Sequence, residues 1–218
     1  MPFLLDPARY NLADPSSLPH LVAQHLSIVA TSMLISVVIA LPLAVAISRY
    51  RRLYLPVITV AGLLYTIPGL ALLSFLVPFT GLNATTIIIP LILYAQLVLI
   101  RNTVAAIDGI DPVLLEAARA MGMDRGQILR RIVLPLALPL IVAGVRVATV
   151  TTIGIASLAA LVGAGGLGDL IFTGIQNSNY DEVLGGGIVI GALAVTADVV
   201  LLFVQQALNR GRLPVTTA

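Results

Sequence analysis

The chain has 218 residues, 59% of them hydrophobic and only 10% charged, with a mean hydropathy of +1.05 and a net charge of +2. Soluble domains carry about 25% charged residues, so this composition excludes an ordinary soluble domain and predicts an integral membrane protein. The sequence has no basic stripe of the kind that nucleic-acid binding needs, and without cysteine it excludes disulfides and thiolate metal sites.

The first 20 residues do not have the pattern of a cleavable signal peptide. They contain Asp6, Asp14 and four prolines, and no basic segment precedes an apolar core. We therefore expect the first apolar run to stay in the mature protein. The two histidines, His20 and His25, lie near the start of that run. With no third ligand nearby, we expect both to be interfacial or solvated.

Five apolar runs approach or exceed the length of about 20 residues that a bilayer core requires. Each must be helical because lipid satisfies no backbone hydrogen bond, and the lack of apolar–polar alternation excludes a barrel. We therefore predict an all-α polytopic membrane protein, a single domain over 1–218 with about five transmembrane helices. The runs are roughly 21–48, 54–79, 84–100, 132–160 and 183–208.

Prolines and glycines are dense in two parts of these runs. The second run carries Pro56, Pro68 and Pro78, and glycine-rich stretches occupy 163–168 and 185–187. Such residues are typical of kinked spans and close helix contacts. Two interpretations stay open at this point, a generic packing role and a role in permitting gate movement.

The arginines predict the orientation of the chain in the membrane. With five spans, ten of the 12 basic residues fall on one side, which the positive-inside rule assigns to the cytoplasm. The N-terminus is then expected outside and the C-terminus inside. The ten residues are Arg49, Arg51, Arg52, Arg101, Arg119, Arg125, Arg130, Arg131, Arg210 and Arg212.

The polar segment 101–131 is expected to be a cytoplasmic loop that contains two short helices. Asp111 followed by Pro112 indicates an N-cap and a first helical position. The first helix should run to about Met121, and Gly122 can end it in a left-handed conformation.

The second short helix of this loop has its own start signal. Asp124 and Gln127 have the spacing of a capping box, with aspartate in place of serine or threonine. This helix should lead into the fourth span through Pro135 and Pro139.

The segment 116–135 resembles the loop that membrane subunits of ATP-binding-cassette importers present to their ATPase. The resemblance rests on E-A-A, three residues, G, nine residues, I, one residue and L-P, at fixed spacing between spans. It implies that this loop is the ATPase-coupling contact. The matching residues are Glu116, Ala117, Ala118, Gly122, Ile132, Leu134 and Pro135.

Three longer segments narrow the resemblance to permease subunits of osmoprotectant importers, which carry glycine betaine, choline, carnitine or related quaternary amines. They are YTIPGLALLSFLVPFTGL at 65–82, YAQLVLIRNTVAAIDGIDPVLLEAARAMGM at 94–123 and LAALVGAGGLGDLIFTGI at 158–175. Permeases for methionine or another amino acid are similar in size and topology and remain the alternative.

The resemblance implies a type I importer transmembrane domain that works by alternating access in a bacterial or archaeal cytoplasmic membrane. Implied partners are an ATP-binding-cassette ATPase dimer, a second permease subunit (the same or a paralogue), an extracytoplasmic substrate-binding protein and membrane lipid. The chain itself is expected to be a non-catalytic transport subunit that holds no cofactor, because the ATPase subunit uses the ATP.

Two pairs of residues inside the spans are further candidates. Arg146 and Asp198 should lie at similar depth at 1.5 Å per residue, and an isolated charge there is costly, so we expect an intramembrane ion pair. Tyr65 and Tyr94 are candidates for the substrate pathway, because quaternary amines favour aromatic faces. An ordinary packing role for either pair is the alternative.

Two motifs suggest enzymes but lack the context that each would need. GAGGLG at 163–168 has dinucleotide-binding spacing, but no strand precedes it. GLGD at 166–169 and Tyr180-Asp181 are similar to the two halves of an intramembrane aspartyl protease in reversed order, and both fall in a predicted outer loop. A membrane-embedded enzyme is therefore a weak alternative to a permease.

Overall fold

A computed structural model describes residues 6–11 and 13–209, and within them every regular element is helical. The α-helices of this part are α1 Leu18–Arg49, α2 Tyr54–Thr66, α3 Gly69–Thr80, α4 Ala84–Asp108, α5 Pro112–Ala120, α6 Arg125–Ile128, α7 Leu134–Ile155, α8 Gly168–Gln176 and α9 Tyr180–Asn209. Short 3-10 helices form at Pro7–Tyr10, Arg51–Leu53 and Ala156–Val162, and a π-helix covers Leu129–Val133.

Four of the helical segments are long and apolar enough to cross a membrane by themselves. They are α1, α4, the segment Arg125–Val162 that contains α7, and α9. The fifth predicted run forms the bent pair Arg51–Thr66 and Gly69–Thr80, so the count reaches five if this pair is one span. The predicted all-α polytopic fold is confirmed. Arg210 and Arg212, used in the orientation argument, lie outside the described residues.

The run 54–79 is not one continuous helix, because α2 and α3 meet at an angle of 92°. Ile67 takes an extended conformation with φ −68° and ψ 125°, which is the conformation that a following proline favours. Pro68 has no N–H to continue the α2 ladder. The hydroxyl of Tyr94 on α4 donates to the carbonyl of Ile67 at 2.8 Å and so satisfies part of the broken backbone. The prolines of this run predict a kink, but they do not predict a break of 92° between α2 and α3.

The long helices pack side by side in the order α1, α4, α7 and α9. At the α4–α7 contact a Cβ added to Gly144 would lie only 2.5 Å from Asn102 Cβ, so glycine allows the two helices to approach closely. The largest buried cluster lies among α1, α4, α7 and the 3-10 segment after α7. It includes Ile28, Met33, Ile47, Ile87, Leu91, Leu99 and Ile153.

The first residues of the predicted cytoplasmic loop, which begins at about 101, are helical, because α4 continues to Asp108. The polar residues that suggested a loop fit into the helix. Asn102 Nδ2 donates to the carbonyl of Val98 at 2.8 Å, and Thr103 is buried against neighbouring helices. The inter-helix connection therefore begins at Gly109, the C-cap of α4.

At the end of the molecule that contains the glycine-rich loop 163–168, one side chain is more deeply buried than the sequence predicts. His25 is fully buried, so of the two expected roles, interfacial or solvated, the solvated one is excluded for it, whereas His20 is exposed. His25 Nε2 donates to the carbonyl of Ile153 at 3.0 Å, and Gly166 packs against its ring. Burial follows because the end of α7 and the glycine-rich loop close over this part of α1.

Candidate functional site

The coupling segment starts at a capped helix, as the sequence predicts. Asp111 Oδ1 accepts a hydrogen bond from the N–H of Val113 at 2.9 Å, and Pro112 takes the first helical position of α5. A carboxylate at this end also interacts favourably with the helix dipole. Local chemistry therefore fixes where α5 begins.

Gly122 ends α5 in the left-handed conformation, with φ +78°. The N–H of Met123 donates to the carbonyl of Ala118 at 3.1 Å, and the N–H of Gly122 donates to that of Arg119 at 2.9 Å. These two bonds form a Schellman motif, which turns the chain sharply after the helix. A Cβ at Gly122 would meet no atom within 4 Å, so the glycine is required by its backbone angle and not by lack of space.

The next helical segment begins with the predicted capping box. Asp124 Oδ1 accepts from the N–H of Gln127 at 2.9 Å, and Gln127 Oε1 accepts from the N–H of Asp124 at 3.0 Å. The chain then passes through the π-helix Leu129–Val133 into α7. Single turns of π-helix within α-helices are frequent at functional sites.

The residues of the coupling motif divide into exposed and buried groups. Glu116, Ala117 and Gly122 are exposed on and after α5, and Pro135 is exposed in the first turn of α7. The remaining members face the protein: Ala118 is fully buried, and Ile132 and Leu134 are half-buried. The motif therefore combines an exposed surface with buried and half-buried residues that hold it in place.

Ala118 belongs to a small apolar cluster that fastens the loop to the membrane helices. The cluster brings together the end of α4, α5, α6 and the start of α7, and its buried members are Ala106, Ile110, Ala118, Ile128, Val133, Ala137 and Ile141. Around this anchor the segment exposes Val113 and Leu114 on α5 and Met121 at its C-cap, together with Glu116. Exposed apolar side chains with charges beside them are typical of protein interaction sites.

The structure brings Arg146 on α7 and Asp198 on α9 together. Arg146 Nε lies 3.0 Å from Asp198 Oδ1 and Nη2 lies 2.8 Å from Oδ2, a two-pronged contact. Arg146 Nη1 also donates to Gln205 Oε1 at 2.7 Å. Gln205 was not among the predicted residues, although its spacing of seven residues from Asp198 places both on one face of a helix.

The two candidate tyrosines also meet, at the break between α2 and α3. Their ring centroids are 5.9 Å apart with an interplanar angle of 77°. They line a cavity of about 320 Å³ together with Thr66, Ile67, Pro68, Gly69, Ile155 and Leu158. Tyr94 is 6% exposed and holds the carbonyl of Ile67, whereas Tyr65 is 41% exposed. The accessible aromatic surface of this cavity is therefore mainly that of Tyr65.

A second, larger cavity of about 730 Å³ lies at the opposite end of the molecule from the coupling loop. Arg9 Nη1 lies 3.5 Å from Glu182 Oε1 in its wall, and Gln24 Oε1 accepts from the N–H of Gly166 at 3.0 Å. Asp169 also lines it, and burial raises the pKa of this carboxyl. The wall of the cavity is therefore polar and carries charges of both signs.

A further ion pair, which is not among the predicted contacts, lies close to the coupling loop. Arg51, between α1 and α2, contacts Asp108, the last residue of α4, through two N–O distances of 2.6 Å. The position of Asp108 could have indicated this pair. A carboxylate at the C-terminal end of a helix interacts unfavourably with the helix dipole, so a cation nearby would stabilise it.

Comparison with known proteins gives a consistent assignment. Residues 32–213 match the family model described as "Binding-protein-dependent transport system inner membrane component". The chain is 41% identical over 199 residues to the carnitine transport permease protein OpuCD of Listeria monocytogenes, and the matched region covers 89% of each chain. It is 42% identical over 187 residues to the glycine betaine/carnitine/choline transport system permease protein OpuCD of Bacillus subtilis, which covers 85% of this chain and 82% of the relative.

Solved structures support the same conclusion. The inward-facing MetNI methionine ABC transporter aligns with a TM-score of 0.77 and 27% identity, covering 88% of this chain and 96% of that chain. The predicted fold of an importer permease and the predicted non-catalytic transport role are therefore confirmed, and the protein is one of the cytoplasmic membrane. This chain belongs to the family of binding-protein-dependent transport system inner membrane components.

Proposed function

We propose that this chain is the permease subunit of an ATP-binding-cassette importer for quaternary-amine osmoprotectants such as carnitine, glycine betaine or choline. The observation that carries the proposal is the identity of 41–42% over more than four fifths of the chain to permeases of these substrates. Matches of this length also extend across the coupling loop and the α2–α3 break, which are the two regions that the transport cycle would use.

The coupling loop is the part that would receive the mechanical input. Its exposed face on α5 would dock into a groove of the ATPase, with Glu116 and Ala117 in the contact. Ala118 and the apolar cluster around it would carry the movement to α4 and α7. Gly122 would keep the bend that aims α5 at the ATPase. ATP binding would close an ATPase dimer and turn two paired permeases outward, and hydrolysis would reset them.

The proposed orientation has the N-terminus outside and the C-terminus inside. The choice of the cytoplasmic side depends on the arginines, and two contacts support the grouping of residues by side, because each pairs groups expected on the same side. Arg51 contacts Asp108 near the coupling loop, on the side proposed as cytoplasmic. Arg9 contacts Glu182 at the other end of the molecule, where a substrate-binding protein would deliver its ligand.

The proposed substrate pathway passes the cavity at the α2–α3 break. A quaternary ammonium group has no hydrogen-bond donor, and an aromatic face is the surface that attracts it. Tyr65 supplies accessible aromatic surface, and the last carbonyls of α2 add the negative end of a helix dipole. Tyr94 would hold the break open through its bond to Ile67. We therefore assign Tyr65 to substrate contact and Tyr94 to positioning.

An uptake experiment tests the substrate. The permease, its ATPase and its binding protein would be produced in a bacterial strain that lacks osmoprotectant uptake. Labelled carnitine, glycine betaine, choline and methionine would then be supplied separately at equal concentration. Accumulation of a quaternary amine and not of methionine is expected. The methionine transporter that aligns at 27% identity makes methionine the second candidate, and accumulation of methionine alone would favour it.

A further inference from the structure

We propose that the ion pair of Arg51 and Asp108 positions the coupling helix α5 for its contact with the ATPase. The proposal rests on the proposed coupling function of α5 and adds two positioning residues outside the coupling motif. Neither residue belongs to the exposed face of α5, so each would act through the backbone that leads into the helix.

The geometry of the pair is specific. Arg51 Nη1 lies 2.6 Å from Asp108 Oδ2 and Nη2 lies 2.6 Å from Oδ1, so each terminal guanidinium nitrogen contacts one carboxylate oxygen. A parallel two-bond contact of this kind fixes the direction of the two groups as well as their distance. Arg51 lies in the 3-10 turn that joins α1 to α2 and is separated from Asp108 by 57 residues in sequence.

Asp108 stands where a carboxylate is unfavourable by itself. It is the last residue of α4, and the C-terminal end of a helix carries the negative end of the dipole. The last turn of α4 contains no basic residue to compensate. Arg51 supplies the missing positive charge from another part of the chain, so the end of α4 is held by a non-local contact.

The connection from Asp108 to the coupling helix is very short. Only Gly109 and Ile110 separate it from Asp111, the N-cap of α5. The N–H of Gly109 still bonds back to the carbonyls of Ala105 and Ile107, and Ile110 is buried in the apolar cluster beneath α5. A displacement of Asp108 would therefore be passed directly to the start of α5.

The solvent exposure of Arg51 and Asp108 favours a role in positioning α5 over a role in stabilising the fold. The side chain of Arg51 is 59% exposed and that of Asp108 is 32% exposed. Ion pairs this accessible to solvent contribute little to folding stability. We therefore infer that the contact matters for where α5 points and not for whether the protein folds.

The test uses the full transporter in proteoliposomes and compares Arg51→Gln with Arg52→Gln. Arg52 is the adjacent exposed arginine, and within the described residues it makes no ion pair, so it is a matched control. Transport per ATP hydrolysed should fall about fivefold or more in Arg51→Gln and Asp108→Asn, and should stay near wild type in Arg52→Gln. The amount of folded protein and its unfolding temperature should not change in any of the three.

A charge exchange gives a second, independent arm. Arg51→Asp combined with Asp108→Arg should recover most of the transport per ATP that either single change loses. Equal losses in Arg51→Gln and Arg52→Gln, or a double exchange no better than the singles, would overturn the proposal.

A third arm distinguishes failure of this inference from failure of the proposed function. A nitroxide attached through Ala120→Cys reports the mobility of α5 without ATPase or substrate. Arg51→Gln should raise that mobility and Arg52→Gln should not. If α5 loosens while transport per ATP stays constant, the ion pair positions the helix but the coupling function of α5 is wrong. If α5 does not loosen, the positioning role itself is wrong.

Discussion

Arg146 on α7 and Asp198 on α9 form a two-pronged ion pair, with N–O distances of 3.0 and 2.8 Å, near the middle of two membrane-spanning helices. Gln205 completes the set by accepting from the remaining Arg146 nitrogen at 2.7 Å. Three of the Arg146 donors are therefore directed to α9. The contact ties the last helix to the rest of the bundle, although little of α9 is buried within this chain.

Breaking this pair on one side should be worse than removing both charges. Asp198→Ala leaves the Arg146 cation without its carboxylate in the middle of a membrane-spanning helix, where an unpaired charge is costly, so the unfolding temperature in detergent should fall by several degrees. The double change Arg146→Ala with Asp198→Ala should recover part of that loss. Gln205→Ala should have a smaller effect, because it removes one neutral acceptor. Strictly additive losses for the two charged residues would mean that they do not act as partners.

The proposed pathway predicts different outcomes for the two tyrosines. Tyr65→Phe keeps the aromatic face and should transport with nearly normal KM, whereas Tyr65→Leu should raise KM several-fold because the cation–π contact is lost. Tyr94→Phe removes the hydroxyl that holds Ile67 and should cost about 1 kcal/mol of stability, with a smaller change in KM. Equal KM values for wild type and Tyr65→Leu would remove Tyr65 from the pathway.

Two helical glycines should respond to alanine in opposite ways. A Cβ at Gly168 would lie 1.8 Å from the carbonyl oxygen of Ser157, so Gly168→Ala should destabilise the permease by about 3 kcal/mol. A Cβ at Gly187 in α9 would meet nothing within 4 Å, so Gly187→Ala should be neutral or stabilise by up to about 1 kcal/mol. Thermal unfolding of the isolated permease in detergent measures both. Similar tolerance at the two positions would show that the 3-10 helix Ala156–Val162 packs differently against α8.

Local signals in the sequence account for the parts of the structure that were predicted well. The Asp111 cap, the Gly122 turn and the capping box of Asp124 with Gln127 each depend on residues no more than six apart. The Arg146–Asp198 contact spans 52 residues, yet helix rise and the cost of buried charge were enough to pair the two.

The features that were missed depend on distant parts of the chain. The right-angle break at Ile67 and Pro68 is supported from α4 by Tyr94, 27 residues away from Ile67. His25 is buried because a carbonyl 128 residues further on accepts its hydrogen bond. Asp108 contacts Arg51, which lies 57 residues earlier in the chain. Polarity alone suggested solvent for His25 and a loop for Arg101 to Thr103, because a sequence does not show which neighbours will cover a residue.

The orientation can be tested by labelling, because the chain has no native cysteine. Ala13→Cys and Ala120→Cys introduce single thiols at exposed positions near the two ends of the membrane helices. A membrane-impermeant maleimide should label Ala13→Cys from outside intact spheroplasts and Ala120→Cys only after lysis. The reverse pattern would reject the proposed topology.

The coupling role of this loop is tested most sharply by measuring ATP hydrolysis and substrate uptake of the reconstituted transporter when only the exposed residues of the loop are changed. Glu116→Lys alters the exposed contact, Gly122→Val disfavours the φ of +78°, and Gly122→Asn serves as a control because asparagine tolerates this conformation. We predict that quaternary-amine uptake into proteoliposomes is lost or falls at least about tenfold for Glu116→Lys and Gly122→Val, while Gly122→Asn stays close to wild type and all variants insert normally. Wild-type uptake by Glu116→Lys and Gly122→Val would contradict the assignment of this loop as the coupling site.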